Sequence, residues 1–296
     1  MISTPRLPAR TSTLRRIATR SAVAAVAGAA CCIALTAGAF SGGGAGGAGT
    51  ADRVAVKSIV NGSKASERYP FMASIPITAP LAGLTDGNCG AALIDPEWVV
   101  TAGHCLDMQI GSFAKGTVRI GSEKRVSGGT VRSIAQVFVN AGYAQGQPNQ
   151  NDIALVRLDH PVKNRPISIA AAAADPGTAT RILGFGVTKP NADATKWKMS
   201  GELRELDTFR GDPAQCAPGF AGDTRLCTLS HAVDAMACNG DSGGPQIQRG
   251  RGDRWELIGV TSGPGAKSPS CEKGPGLYTN VTAYRDWITQ TIAANG

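Results

Sequence analysis

Gly240-Asp241-Ser242-Gly243-Gly244-Pro245 is the stretch on which the reading of this 296-residue chain turns. Glycines around a serine let the backbone fold tightly and aim its N–H groups at one point. Two such donors, from Gly240 and Ser242, suit the oxyanion of a tetrahedral intermediate, which needs fixed donors where charge develops. A hexapeptide alone is equally compatible with an ordinary glycine-rich turn. The partners of the serine decide.

A serine hydroxyl is a poor nucleophile unless a base removes its proton and an acid holds that base in place. The chain has three histidines to choose from, His104, His160 and His231. His104 lies in Thr101-Ala102-Gly103-His104-Cys105, just after the strand-like Trp98-Val99-Val100. His160, in Leu158-Asp159-His160-Pro161, reads as a turn residue, and His231 as a solvated loop residue. Asp152 opens Asp152-Ile153-Ala154-Leu155-Val156, polar then apolar, as suits an acid at the start of a strand; taken alone it also fits a surface turn. The hexapeptide satisfies G-x-S-x-G, a strand-to-helix elbow that requires its histidine after the serine. Every histidine here precedes Ser242, so that arrangement is excluded.

Outward from these motifs the chain shows short β-rich runs broken by Gly, Pro, Asn and Asp. They include Ala91 to Ile94, Val118 to Ile120, Ile134 to Val139, Ile153 to Leu158, Arg181 to Val187, Leu257 to Thr261 and Leu277-Tyr278. Such spacing predicts an all-β sandwich or barrel without βαβ alternation. Ala170 to Thr178, with Asp175-Pro176-Gly177, divides the β-rich part near its middle. The long helix is expected over 281–293, where Tyr284, Trp287, Ile288 and Thr291 share one face.

Residues 1–39 read as an export signal: five arginines without an acid, then an apolar run from Ala22 to Phe40 containing Ala37-Gly38-Ala39, a small-x-small cleavage pattern. Arg15-Arg16 admits a twin-arginine route. An uncleaved run of this length would be a membrane anchor instead. Residues 40–58 form a Gly/Ala-rich propeptide, and 59–296 the folded domain. Residues 1–58 carry +6 of the formal net charge of +8, so the domain itself is close to neutral and gives no argument for nucleic acid. Cys31 and Cys32 sit within the apolar run, and the other six cysteines point to disulfides in an oxidising compartment, in any of 15 pairings. None has the spacing of a zinc site.

Residues 59–296, about four fifths of the chain, resemble the trypsin/chymotrypsin-like serine proteases. The resemblance rests on Ile59-Val60-Asn61-Gly62, Cys89-Gly90 with Thr101 to Cys105, Asp152 to Leu155, Gly240 to Pro245, and Pro275 to Tyr278, in that order. It implies two antiparallel six-stranded β-barrels around a cleft, one over about 59–172 and one over about 178–280, with a C-terminal helix. It implies a triad of His104, Asp152 and Ser242, an oxyanion hole at Gly240 and Ser242, and the pairs Cys89–Cys105, Cys216–Cys227 and Cys238–Cys271. It further implies activation by a cut before Ile59, whose new ammonium pairs with Asp241.

Two departures from that pattern matter. Ser58, not a basic residue, precedes Ile59, so a cut after Lys57 would leave the chain one residue too long. Met236 stands where trypsin-like members carry the pocket aspartate, and a thioether offers no partner to a buried ammonium. An apolar P1 residue is therefore expected in a pocket of Met236, Ser262, Gly263, Gly265 and Gly276, aromatic or small aliphatic. The calcium loop that the resemblance would imply needs acidic ligands, and the region from Gly121 to Thr130 offers one, Glu123, so no metal is expected, and no cofactor. The expectation is a secreted, monomeric zymogen with peptide or protein substrates and an activating protease; the alternative is a catalytically silent binding module of the same fold.

Overall fold

The computed structural model describes residues 59–79, 83–107, 113–114, 116–267 and 270–296. The expected export signal, with its alternative as an anchor, and the propeptide lie outside the described residues. In chain order the strands are β1 (Ser63–Lys64), β2 (Met72–Ala79), β3 (Leu84–Asp95), β4 (Trp98–Thr101), β5 (Phe113–Ala114), β6 (Thr117–Ile120), β7 (Thr130–Val139) and β8 (Ala154–Leu158). There follow β9 (Ser168–Ile169), β10 (Ala179–Gly184), β11 (Arg204–Arg210), β12 (Arg225–Ser230), β13 (Pro245–Arg249), β14 (Trp255–Pro264), β15 (Gly276–Asn280) and the helix α1 (Arg285–Asn295).

Antiparallel pairing runs β2–β3–β4–β8–β7–β6 and returns to β2, closing a six-stranded barrel. A second circuit, β10–β11–β12–β15–β14–β13 and back to β10, closes another. Among the described residues, closure leaves no free edge within either six-stranded circuit. Alternation builds the walls: in β6, Val118 and Ile120 are buried while Thr117 and Arg119 face outward. Strand β4 is buried along its whole length, and its first three residues, Trp98-Val99-Val100, read as an apolar run.

Two stretches from the range expected for the first barrel pair with the second. Strand β1 lies antiparallel on β11, and β9 lies parallel on β14. The chain thus starts and ends its first barrel by leaning on the other one. Buried Glu205 of β11 explains the first of these contacts, since it accepts from Ser66 N–H at 3.0 Å, Ser66 Oγ at 2.7 Å and Tyr69 OH at 2.6 Å.

The C-terminal helix also begins later than expected. Val281–Tyr284 is a 3₁₀ turn, capped by Asn280 Oδ1, which accepts from Thr282 N–H at 3.2 Å. The α-helix then runs to Asn295, with Tyr284 and Ile288 buried on the expected face. Strand β10 stops at Gly184, three residues short of the run read from the sequence. Three disulfides form, Cys89–Cys105, Cys216–Cys227 and Cys238–Cys271.

Candidate active site

Strands β4 and β8 pair Thr101 with Ala154 and Val100 with Leu155, so the segments beyond them emerge at one end of the first barrel. After β4 the chain makes a 3₁₀ turn, Gly103–Cys105, which carries His104 and is tied to β3 by the Cys89–Cys105 disulfide. Asp152 stands two residues before β8. Its side chain is 1% exposed, and His104 donates to it twice: from its backbone N–H to Oδ1 at 2.9 Å, and by Nδ1 against Oδ2 at 2.9 Å.

Two further donors converge on the same carboxylate oxygen. Ser262 Oγ donates to Oδ2 at 2.5 Å, and Asn149 Nδ2 donates at 3.2 Å. Burial pushes the Asp152 carboxyl up, but the charge and hydrogen bonds of His104 and the Ser262 hydroxyl outweigh it and hold Asp152 below the usual range. His104 is the mirror case. Burial pushes it down, and the neighbouring carboxylate more than reverses this, so the imidazole sits above its ordinary value. A carboxylate this well provided with donors stays ionised and fixes the ring's tautomer, with Nδ1 facing the acid.

The second barrel brings Ser242. The turn before β13 docks onto the first barrel through its backbone: Gly90 N–H donates to the Ser242 carbonyl at 2.7 Å, and Cys105 Sγ lies 3.6 Å from that carbonyl. Glycine is required at this junction. A Cβ on Gly90 would stand 2.5 Å from Gly244 Cα, and one on Gly243 would stand 2.1 Å from Thr101 Oγ1. Gly240, at φ +91°, turns the chain in the left-handed region, and Asn88 Nδ2 holds its carbonyl at 2.9 Å. Among the described residues, the N–H groups of Asp241, Gly243 and Gly244 are committed to carbonyls of the fold, whereas those of Gly240 and Ser242 are not.

Asp241 is 1% exposed and points away from Ser242 into the second barrel, accepting from Gly186 N–H at 2.7 Å and Cys238 N–H at 2.9 Å. Burial pushes its carboxyl up to about 7, only partly offset by these two backbone donors. Gly184 and Gly186 make its niche, since a Cβ on either would lie within 2.6 Å of a carboxylate atom. Ile59 is fully buried nearby in the same barrel's core with Met236, Leu226 and Tyr278, and Val60 forms a β-bridge to Met236.

Beside Ser242 a cavity is lined by Met236, Ala237, Ser262, Gly263, Pro264 and Gly276 among others. Four of the five residues expected in the pocket are there. Gly265 is not among them; it lies against Cys216, where a Cβ would meet the sulfur at 2.6 Å. Pro264 lines the wall instead, set across from Gly276 by the β14–β15 register. Of the other histidines, His160 is exposed at 3.5 Å from Asp159, and His231 stacks on Phe209 at the surface.

Several residues around the site were missed by sequence reasoning. Asn88 and Asn149 carry no local signal. Gly184-Phe185-Gly186 does, because paired glycines at a strand's end mark a close approach of another group. Thr279 Oγ1 donates to the Asp152 carbonyl at 2.7 Å and Tyr284 OH donates to Asn151 Oδ1 at 2.8 Å, so the chain's last elements grip the segment that carries the acid.

A family model described as Trypsin matches residues 59–288. The thrombin-like enzyme acutin of Deinagkistrodon acutus is 32% identical over 221 residues, covering 70% of this chain and 86% of its own. Kallikrein-15 of Homo sapiens is 30% identical over 224 residues, covering 70% and 82%. Ovochymase of Halocynthia roretzi is 31% identical over 261 residues; the match covers 81% of this chain and 15% of that protein. Among solved structures, neuropsin, a serine protease expressed in the limbic system of mouse brain, is similar at a TM-score of 0.60 and 26% identity, over 75% of this chain and 94% of that one. With two closed six-stranded barrels and a family match over most of its length, the chain belongs to the trypsin family and is a serine endopeptidase.

Proposed function

We propose that the protein is a secreted endopeptidase made as a zymogen, which hydrolyses peptide bonds through an acyl-enzyme on Ser242. Ser242 Oγ attacks the scissile carbonyl carbon while His104 takes its proton. His104 then gives that proton to the leaving amine and activates the water that frees the acid. Asp152 orients the imidazole and stabilises its charged form, and the N–H groups of Gly240 and Ser242 receive the oxyanion. The observation that carries this reading is the Asp152 carboxylate, which is 1% exposed and engaged twice by His104 across gaps of 2.9 Å.

The cavity beside Ser242 supports an apolar P1 residue, because no Asp or Glu is among its lining residues. The niche of Asp241 supports activation by cleavage before Ile59: a buried carboxylate that, among the described residues, is supplied with two backbone donors and no cation is suited to an incoming ammonium. Substrates are peptides or proteins, and the working form is a monomer.

The test is the Ser242→Ala chain beginning at Ile59. It is expected to keep its circular dichroism spectrum and to lose peptide hydrolysis by ~10⁴-fold or more. Hydrolysis at the wild-type rate, or failure of a serine-directed phosphonate to label the wild-type chain, removes the assignment and leaves the binding-module reading.

A further inference from the structure

Asp152 Oδ2 is crowded. It takes His104 Nδ1 at 2.9 Å, Ser262 Oγ at 2.5 Å and Asn149 Nδ2 at 3.2 Å. A carboxylate oxygen offers about two lone-pair sites, so three donors share its charge. The Asn149 amide has its orientation fixed on both sides. An ionised carboxylate only accepts, so the NH2 faces Asp152, and the amide oxygen accepts from Gly146 N–H at 3.0 Å. One half-buried side chain thus ties Asp152 to the tip of the loop 144–150.

The base of that loop is firm and its tip is not. Ala144 N–H donates to the Gln150 carbonyl at 3.1 Å, and Gln150 N–H returns the bond at 2.9 Å. The tip is held by two side-chain amides exposed to water, Asn149 on Gly146 N–H and Gln150 Nε2 on the Pro148 carbonyl at 3.1 Å. Exposed bonds of this kind open locally at little cost. The same tip lines a second cavity, in which Pro148 and Asn149 join Phe220, Pro264 and Leu277. Its surface is largely apolar, and Lys267 is the one charged residue among those lining it. This cavity shares Ser262, Gly263 and Pro264 with the one beside Ser242, so a peptide whose P1 residue fills the latter can lay upstream residues in the former. Asn149 and Ser262 therefore each touch the cavity at one end and Asp152 Oδ2 at the other.

We propose that Asn149 is a positioning residue of the catalytic triad, coupling the seating of an apolar substrate side chain upstream of P1 to the alignment of Asp152 against His104. This rests on the protease reading of Ser242, His104 and Asp152 given above. A side chain seated in the cavity packs on the loop tip and keeps the amide on the carboxylate. Two phenols also lie near that carboxylate. Burial, then the charges of Asp152 and Asp107, pushes Tyr143 up to about 12. Burial raises Tyr284 as well, against a Thr224 hydrogen bond and the Arg225 charge. Both phenols stay neutral where His104 titrates, so the acid limb of the rate profile reads the imidazole and its carboxylate.

The test compares processed parent, Asn149→Ala and Asn149→Asp enzymes on a substrate ending at P1 and on one extended upstream with apolar residues. The parent is expected to gain in kcat from the extension. Asn149→Ala is expected to lose that gain, with kcat on the extended substrate down ~10-fold and KM within about twofold. Removing a donor leaves more of the carboxylate's charge for the imidazolium, so the acid limb of Asn149→Ala moves to higher pH. Asn149→Asp sets a second carboxylate against the first and is expected to move it further, by about one pH unit or more. The proposal is overturned by an equal gain from extension in parent and Asn149→Ala, by a loss carried in KM alone, or by an acid limb that Asn149→Asp leaves in place. A parent that hydrolyses neither substrate and takes no serine-directed phosphonate sinks the protease reading with it.

Discussion

Asp241 shows how much a single buried carboxyl governs. Its pKa is raised from 3.8 to about 7 in the uncut chain. A folded pKa above the unfolded one means that the stability contribution is whole below pH ~4 and is lost as pH climbs through ~7, a change of about 4 kcal/mol. Urea titrations of the uncut precursor are expected to show that loss, and Asp241→Asn to abolish it; identical profiles for both would refute the burial argument. His104 is raised by its partner, and catalysis needs the ring neutral, so kcat/KM should rise with pH through a midpoint above the ordinary histidine value. A pH–rate profile with its acid limb at or below that value would count against the His104–Asp152 pairing. At this scale the side chains proposed as reactive, His104, Asp152 and Ser242, could be named from the sequence because the chemistry demands their types. Asn149, which donates to Asp152 at 3.2 Å, was illegible because an amide three residues from an acid is unremarkable until the chain folds back.

Among the pairings of named strands, the longest in sequence is the lean of the first segment on the second barrel. Glu205, 6% exposed on β11, gathers Ser66, Tyr69 and Arg181, the last at 3.3 Å. Replacing it by alanine leaves these donors without their buried acceptor and is expected to cost about 3 kcal/mol, measured by denaturation in the Ser242→Ala background to avoid self-digestion. A loss below about 1 kcal/mol would mean that water replaces the carboxylate. The strands were legible from alternation and from turn residues. The short pairings β1–β11 and β9–β14 were not, because two residues carry no periodicity and their partners lie about 140 and 90 positions away. Asn280 caps the start expected for the helix, but the first turn there is 3₁₀ and the α-helix follows from Arg285.

For the whole molecule, what matters is how closely two barrels approach. Gly90 of one and Gly244 of the other meet with no room for a methyl group, since a Cβ on Gly90 would stand 2.5 Å from Gly244 Cα. Gly90→Ala is expected to keep both barrels folded and to lower kcat/KM by ~100-fold, because displacing Ser242 relative to His104 by an ångström spoils attack geometry. Unchanged kinetics would show that the junction gives without moving the site. The pair of barrels was legible through ordered motifs and not through any local rule, and the glycine junction only in three dimensions. The grip of Thr279 and Tyr284 on residues 151–152 has a temporal side. Synthesis proceeds from the amino end, so a polypeptide still on the ribosome already holds the three side chains of the proposed triad but has not yet received the clasp that aligns its acid. On that reading a nascent chain ending before Thr279 is expected to be inactive.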